Sequence, residues 1–182
     1  MPQVAVFLDR DGVINNNSIQ VNRPEDLILY PWAAPAIHKL NTSGFKVFVV
    51  TNQGGIELGY ITEADLAAIH ARMEALLREQ NAFIDGIVFC PHFYIKCECR
   101  KPKPGMILTL AEKYQIQLAQ SWMVGDRESD IQAGKAAGCR TVKLGKASEL
   151  ADFSCDNLAE AVDIIISSNG PLAGTGKTYS NN

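Results

Sequence analysis

The chain reads as an open, Rossmann-like, doubly wound α/β sheet of mostly parallel strands. Short runs rich in Val, Ile and Phe alternate along it with segments of helical periodicity. These runs are apolar almost throughout rather than at every second residue, which suits strands covered on both faces. A chain of 182 residues, 47% of them hydrophobic, fits one domain able to bury a core without staples.

The elements follow in order. Gln3 to Leu8 is the first strand, and Ala34 to Ser43 a helix stopped by Gly44. Lys46 to Val50 is the second strand. Thr62 then caps a helix running to about Gln80, with Asp65 completing a loose capping box. Its apolar positions Leu66, Ile69, Met73, Leu76 and Leu77 keep helical spacing. Ile84 to Phe89 is the third strand, and Pro104 opens a helix to about Tyr114. Trp122 to Val124 is a short fourth strand, followed by a helix from Ser129 to Ala137 closed by Gly138. Thr141 to Leu144, a short helix at Leu158 to Ala161 and a strand at Asp163 to Ile166 complete the set. Residues 1–166 thus form the domain. The tail, 167–182, is rich in Ser, Asn and Gly and is expected to be disordered. Gly174-Thr175-Gly176-Lys177-Thr178 imitates a phosphate-binding loop, but Pro171 stands where its first glycine is needed and no helix can follow.

Several classes are set aside. A net charge of −3 without a basic face argues against nucleic acid. The start has no basic n-region or cleavage site, and no apolar run approaches the roughly 20 residues of a membrane span. The expectation is a cytoplasmic monomer.

In such sheets ligands bind at the carboxyl ends of the strands. Asp9-Arg10-Asp11-Gly12 follows the first strand, Thr51-Asn52-Gln53-Gly54-Gly55 the second, Arg100-Lys101-Pro102-Lys103-Pro104-Gly105 the third, and Gly125-Asp126-Arg127-Glu128-Ser129-Asp130 the fourth. Each is unremarkable turn chemistry alone. Together they match the needs of phosphoryl transfer. A carboxylate can attack phosphorus. A second can protonate the leaving oxygen and later deprotonate water. Magnesium suits clustered oxygen ligands, and lysine and hydroxyl donors neutralise the transferring oxygens. The expected partner is a small phosphorylated substrate.

Three of five cysteines lie within ten residues: Cys90-Pro91-His92, then Cys97-Glu98-Cys99. Three thiolates and an imidazole are a tetrahedral, structural zinc set, and a loop with so little apolar content would take its order from the metal. His38 and His70 fall on helix faces and read as surface or packing residues.

Four motifs in this order resemble the haloacid-dehalogenase (HAD) superfamily of phosphatases, and within it the capless subfamily of heptose-bisphosphate and histidinol-phosphate phosphatases. They are Phe7-Leu8-Asp9-Arg10-Asp11-Gly12-Val13-Ile14-Asn15, then Val49-Val50-Thr51-Asn52-Gln53, then Cys99-Arg100-Lys101-Pro102 with Pro104-Gly105-Met106, and Met123-Val124-Gly125-Asp126 with Asp130. The resemblance covers residues 3 to 166. It implies Asp9 as nucleophile, Asp11 as general acid/base, and Thr51 and Lys101 as phosphate holders, with Lys101 fitting the motif better than Lys103. Magnesium would lie on Asp9, Asp126 and the backbone carbonyl of Asp11, supported by Asp130. Arg100, Arg127, Asn52, Gln53 and Gly54 would contact substrate. The relatives carry a zinc loop of this type.

No insertion between the motifs is long enough for a cap. Selectivity therefore falls to the zinc loop and to residues 15–24 and 54–60, where Asn15-Asn16-Asn17-Ser18 could bond a polyol. Heptose 1,7-bisphosphate is the leading substrate by resemblance, with histidinol phosphate or another small phosphomonoester as the alternative. Two departures stand out. Gly55-Ile56-Glu57-Leu58-Gly59 replaces a common Gly-Ile-Ala-Arg-Gly, losing an arginine, and the span from His92 to Cys97 is shorter than in some relatives. A zinc-stabilised binding module without activity would be favoured by loss of Asp9, Asp11, Lys101 or Asp126, and all four are present. A nucleic-acid end-processing phosphatase is disfavoured by the acidic balance.

Overall fold

Every side chain of the first strand, β1 (Ala5–Leu8), is apolar and fully buried, which places it at the centre of the sheet. The computed structural model describes residues 3–169. Around β1 stand β2 (Lys46–Asn52), β3 (Gly86–Cys90), β4 (Trp122–Gly125), β5 (Arg140–Leu144) and β6 (Phe153–Cys155). The order is β3-β2-β1-β4-β5-β6 and every pairing is parallel. The connecting helices are α1 (Ala33–Thr42), α2 (Glu63–Arg78), α3 (Gly105–Tyr114), α4 (Glu128–Ala137) and α5 (Leu158–Asn169).

Alternation along β1 divides the core in two. Val6 and Leu8 pack with α1, α2 and α5, while Ala5 and Phe7 pack with α3 and α4. Both faces are thus covered, which explains the continuous apolar runs. The chain runs outward from β1 through β2 to β3, then returns to β4 on the other side. That reversal makes the carboxyl ends of β1, β2 and β4 the natural crevice.

Thr62 and Asp65 form the expected capping box of α2: Asp65 N–H donates to Thr62 Oγ1 at 3.1 Å, and Thr62 N–H to Asp65 Oδ2 at 2.8 Å. Gly138 closes α4 with φ of 87°, a left-handed conformation that glycine takes at little cost. β2 runs beyond Val50 to Asn52, so Thr51 is a strand residue.

The end of the chain differs from expectation. Asp163 to Ile166 is not a strand but lies within α5, and the sixth strand is Phe153–Cys155. The isoleucine run suggests β structure, yet Leu158, Ala161, Val162 and Ile165 are buried together, and that spacing is a helical stripe. Helix α5 also extends past 166 to Asn169, whose Oδ1 accepts from the Trp122 indole N–H at 2.8 Å. The remainder of the expected tail, with its Gly174–Thr178 stretch, lies outside the described residues. Among the described residues no helix is long and apolar enough to cross a membrane.

Candidate active site

Asp9 continues β1 by one residue, its N–H donating to the Val124 carbonyl of β4 at 3.0 Å. This ladder bond fixes the side chain at the strand end. Thr51 comes from β2, Lys101 from the loop before α3, Asp126 from the end of β4, and Asp130 from the first turn of α4. Lys101 is 4% exposed; its Nζ lies 2.9 Å from Asp9 Oδ1 and 2.6 Å from Asp130 Oδ1, and donates to the Val50 carbonyl at 2.8 Å. Lys103 instead pairs with Glu98 at the surface. Glycine is required at two places. A Cβ at Gly12, whose φ is +82°, would collide with the Asp126 carboxylate, and one at Gly125 with Asp130.

The electrostatics are those of crowded acids. Burial pushes the Asp9 carboxyl up to about 6; Lys101 opposes this while Asp130 and Asp11 add to it. Burial and the Asp9 charge likewise raise Asp126, against Arg127. Lys101 loses solvation on burial, but Asp9 and Asp130 outweigh that loss and keep its ammonium charged. Asp9, Asp126 and Asp130 each offer an oxygen within 4.8 Å of the others, and Asp126 Oδ1 is buried without a hydrogen-bond partner. Oxygen donors so crowded, one of them unsatisfied, fit a hard divalent cation such as magnesium.

The Asp11 carboxylate points elsewhere. Its Oδ1 accepts from Arg10 Nε (3.1 Å), Arg10 Nη2 (2.9 Å) and Asn15 Nδ2 (3.0 Å). Its Oδ2 accepts from Arg10 Nη2 (2.9 Å) and Gln53 Nε2 (3.1 Å). Burial works to raise Asp11, but the Arg10 charge and the bonds from Asn15, Arg10 and Gln53 hold it below the usual carboxylate range. Behind it, Arg10 Nη1 lies 3.3 Å from His70 Nε2. His70 is buried on α2, and its pKa is pushed down to about 4 by burial and then by the Arg10 charge, with Asp11 opposing. Both residues were missed by sequence reasoning as parts of the site. Arg10 carries a local hint, standing between two acids; His70, 60 residues away, carries none.

A cleft of about 310 Å³ opens beside these groups, lined among others by Asp11, Asn17, Gln20, Asn52, Gln53, Gly54 and Arg127. A smaller cavity of about 50 Å³ is lined by Asp9, Asp11, Thr51, Lys101, Arg127 and Asp130, among others. Asn52 reaches the cleft, but its amide is committed to the Lys101 backbone, donating to the carbonyl at 3.1 Å and accepting from the N–H at 3.0 Å. Gln53 bonds Asp11 and donates to Thr51 Oγ1 at 2.9 Å. Arg100 turns toward the Cys/His loop, donating to the His92 carbonyl at 2.8 Å with its guanidinium 5.2 Å from the Phe93 ring centre.

Cys90, His92, Cys97 and Cys99 gather at the end of β3 with donor atoms all within 4.8 Å of one another. His92 Nδ1 lies 3.6 Å from the Cys90 sulfur and 3.4 Å from that of Cys99; the Cys90 sulfur lies 3.6 Å from that of Cys97 and 2.7 Å from that of Cys99. Burial and the Cys99 contact push the Cys90 thiol up to about 12; burial also acts on Cys97, but the Arg100 N–H and neighbouring donors bring it down to about 6. Three thiols so close cannot all ionise without a cation, and a tetrahedral ion with bonds of ~2.3 Å fits the set. Glu57 holds the adjoining turn: its carboxylate accepts from the backbone N–H groups of Phe93 (2.5 Å), Tyr94 (3.1 Å) and Ile95 (3.2 Å).

Comparison with known proteins follows the same lines. The HAD-hydrolase-like family profile matches residues 98–161. The D-glycero-β-D-manno-heptose-1,7-bisphosphate 7-phosphatase of Rhodopseudomonas palustris is 45% identical over 142 residues, covering 74% of this chain and 79% of its own. That of Pseudomonas putida is 46% identical over 145 residues, covering 78% and 83%. The crystal structure of the D,D-heptose 1,7-bisphosphate phosphatase of B. bronchiseptica, complexed with magnesium and phosphate, superposes with a TM-score of 0.84 at 33% identity, covering 91% of this chain and 99% of that one. Fold and site define a HAD-like hydrolase. Within that class, the chain belongs to the family of the heptose-1,7-bisphosphate 7-phosphatases.

Proposed function

We propose that this chain is a magnesium-dependent phosphatase that removes the 7-phosphate of D-glycero-β-D-manno-heptose 1,7-bisphosphate through an aspartyl-phosphate on Asp9. The observation that carries the reading is the convergence of Asp9, Thr51, Lys101, Asp126 and Asp130 from four separate segments at the carboxyl edge of the sheet on one largely buried cluster. Identity to the relatives supports the choice of ester.

Lys101 and the Arg10 N–H, which donates at 2.9 Å, hold the Asp9 carboxylate from one oxygen and so orient it for attack. As the Asp9–phosphorus bond forms, the bond to the leaving oxygen breaks; Asp11, which its donors keep ionised at rest, must first take up a proton from solvent and then gives it to that oxygen. Water then attacks the phosphorus, yielding a proton to Asp11, and phosphate leaves with Asp9 restored. Thr51 Oγ1 accepts from Gln53, so its hydroxyl hydrogen is free for a phosphate oxygen. Asp9, Asp126 and Asp130 would hold magnesium, with the backbone carbonyl of Asp11; the ion supplies positive charge for the crowded carboxylates and the transferring oxygens. Cys90, His92, Cys97 and Cys99 would hold a structural zinc, all four positions filled by protein. Arg127, Gln53 and Gly54 border the substrate, and Arg100 and Asn52 shape that border through the loop contacts above.

The test is phosphate release with magnesium from heptose 1,7-bisphosphate, histidinol phosphate and simple sugar phosphates. The heptose ester should be turned over with the highest kcat/KM, and Asp9→Asn should abolish turnover without altering the circular dichroism spectrum. Preference for histidinol phosphate would overturn the substrate assignment. Substantial activity in Asp9→Asn would show that another group attacks.

A further inference from the structure

Arg10 borders the cleft of about 310 Å³ but is only 1% exposed, and its guanidinium nitrogens are taken up by Asp11 and His70. A buried cation is costly unless paired and hydrogen-bonded. Its Nε and Nη2 fork onto Asp11, while Nη1 meets His70 Nε2 at 3.3 Å. A guanidinium only donates, so His70 Nε2 must accept here, and the ring proton resides on Nδ1. The imidazole is itself fixed: it is buried on α2 and packs edge-on against Phe89 of β3, with ring centres 6.4 Å apart. A rigid chain of contact therefore leads from the packed helix through Arg10 to the Asp11 carboxyl.

We propose that Arg10 and His70 are a buried positioning pair that sets where the Asp11 carboxyl stands, and thereby governs protonation of the leaving group. Neither side chain hydrogen-bonds the phosphate cradle formed by Lys101, Thr51 and Asp9; Arg10 meets it only through its backbone N–H, which donates to Asp9 Oδ1. His70 acts through Arg10, and Arg10 through Asp11. This rests on Asp11 being the acid/base of the proposed reaction.

Leaving groups separate this role from simple structural support. A sugar alkoxide must receive a proton as it departs, whereas p-nitrophenolate leaves without one. The value of kcat/KM reports steps through phosphoryl transfer to Asp9, so it isolates the acid role from later attack by water. His70→Leu should lower kcat/KM on the sugar phosphate about tenfold, a share of the roughly 10²–10⁴ that a positioned acid contributes. On p-nitrophenyl phosphate the loss should stay below about twofold. His70→Gln, whose amide oxygen can accept from Arg10, should recover most of the loss. Equal losses on the two esters, or none on either, would overturn the pair. Should His70→Leu fail to fold, Arg10→Lys carries the same comparison, since it keeps the charge but cannot fork onto Asp11; equal losses there count against the proposal in the same way. Asp11→Asn distinguishes the two readings. If it leaves sugar-phosphate turnover intact, the acid/base assignment itself is wrong, and the pair falls with it. If it removes that turnover while the His70 variants act equally on both esters, only the pair is wrong.

Discussion

Two charged clusters lie at the carboxyl edge of the sheet, and they obtain their cations differently. In the phosphate cradle the chain supplies one of its own: Lys101 sits between Asp9 and Asp130, and each acid is tied to a strand end or a helix turn. Among the described residues no buried lysine pairs with the Cys/His cluster; Lys103 Nζ donates to the Cys97 carbonyl at 2.6 Å, but it is exposed and paired with Glu98. The cluster's four donors sit on β3 and the loop after it, and the turn beyond them is held by Glu57 through three backbone N–H groups. The exposed side chains of Phe93, Tyr94 and Ile95 give that turn little packing. Where the counter-charge is built in, the fold alone sets the geometry. Where a zinc ion would supply it, as we propose for the Cys/His loop, the ion is expected to supply the order as well.

The sharpest way to break this contrast is to remove the built-in cation. Lys101→Met leaves Asp9 and Asp130 facing each other in a buried site. Metal-free protein should lose about 3 kcal/mol in urea unfolding, and turnover should become undetectable. Stability equal to the parent would mean that the cradle, too, is organised from outside. A smaller and more local effect is expected at the thiol cluster. Purified protein should carry about one zinc equivalent, and its chelation should release order in residues 91–99 while the sheet's amides keep their protection from exchange. Its effect on catalysis should appear mainly as a higher KM for the sugar ester. Collapse of the whole sheet on chelation would erase the distinction. The smallest effect is at Glu57. Hydrogen bonding from the Phe93 N–H, with help from Ile95 and Tyr94 and against partial burial, holds its carboxyl below the usual range. A depressed folded pKa means the clamp contributes fully above the unfolded value, near ~4.3, and is lost as acid titrates the folded carboxylate. The Phe93–Ile95 amide resonances should shift in that acid window, and Glu57→Gln should flatten the shift.

Much of this was legible in the sequence because it is carried by local pattern. The apolar runs, the Thr62–Asp65 cap and the motifs at four strand ends each declare themselves within a few residues. What escaped depends on distance or on competition. The isoleucines of Asp163–Ile166 favour a strand by propensity, but the buried stripe beginning at Leu158 prevails in a helix. The true sixth strand, Phe153–Cys155, has three residues on an exposed edge and too little pattern to be seen. His70 reads as a packing residue, and it is indeed buried on its helix; only the tertiary fold sets it against Arg10. Leu58 reads as the place of an absent arginine, whereas its neighbour Glu57, standing where the common pattern has alanine, is given partners of its own by the structure.

The bond between the Trp122 indole and Asn169 has an optical consequence. Trp122 opens β4, so its ring lies at the amino end of the sheet, the pole away from Asp9 and Asp126. Indole emission responds to the loss of a hydrogen bond and to entry of water, and this ring is fully buried beneath the last turn of α5. The molecule thus carries an internal fluorophore that reports the docking of its final helix and is remote from events at the catalytic edge.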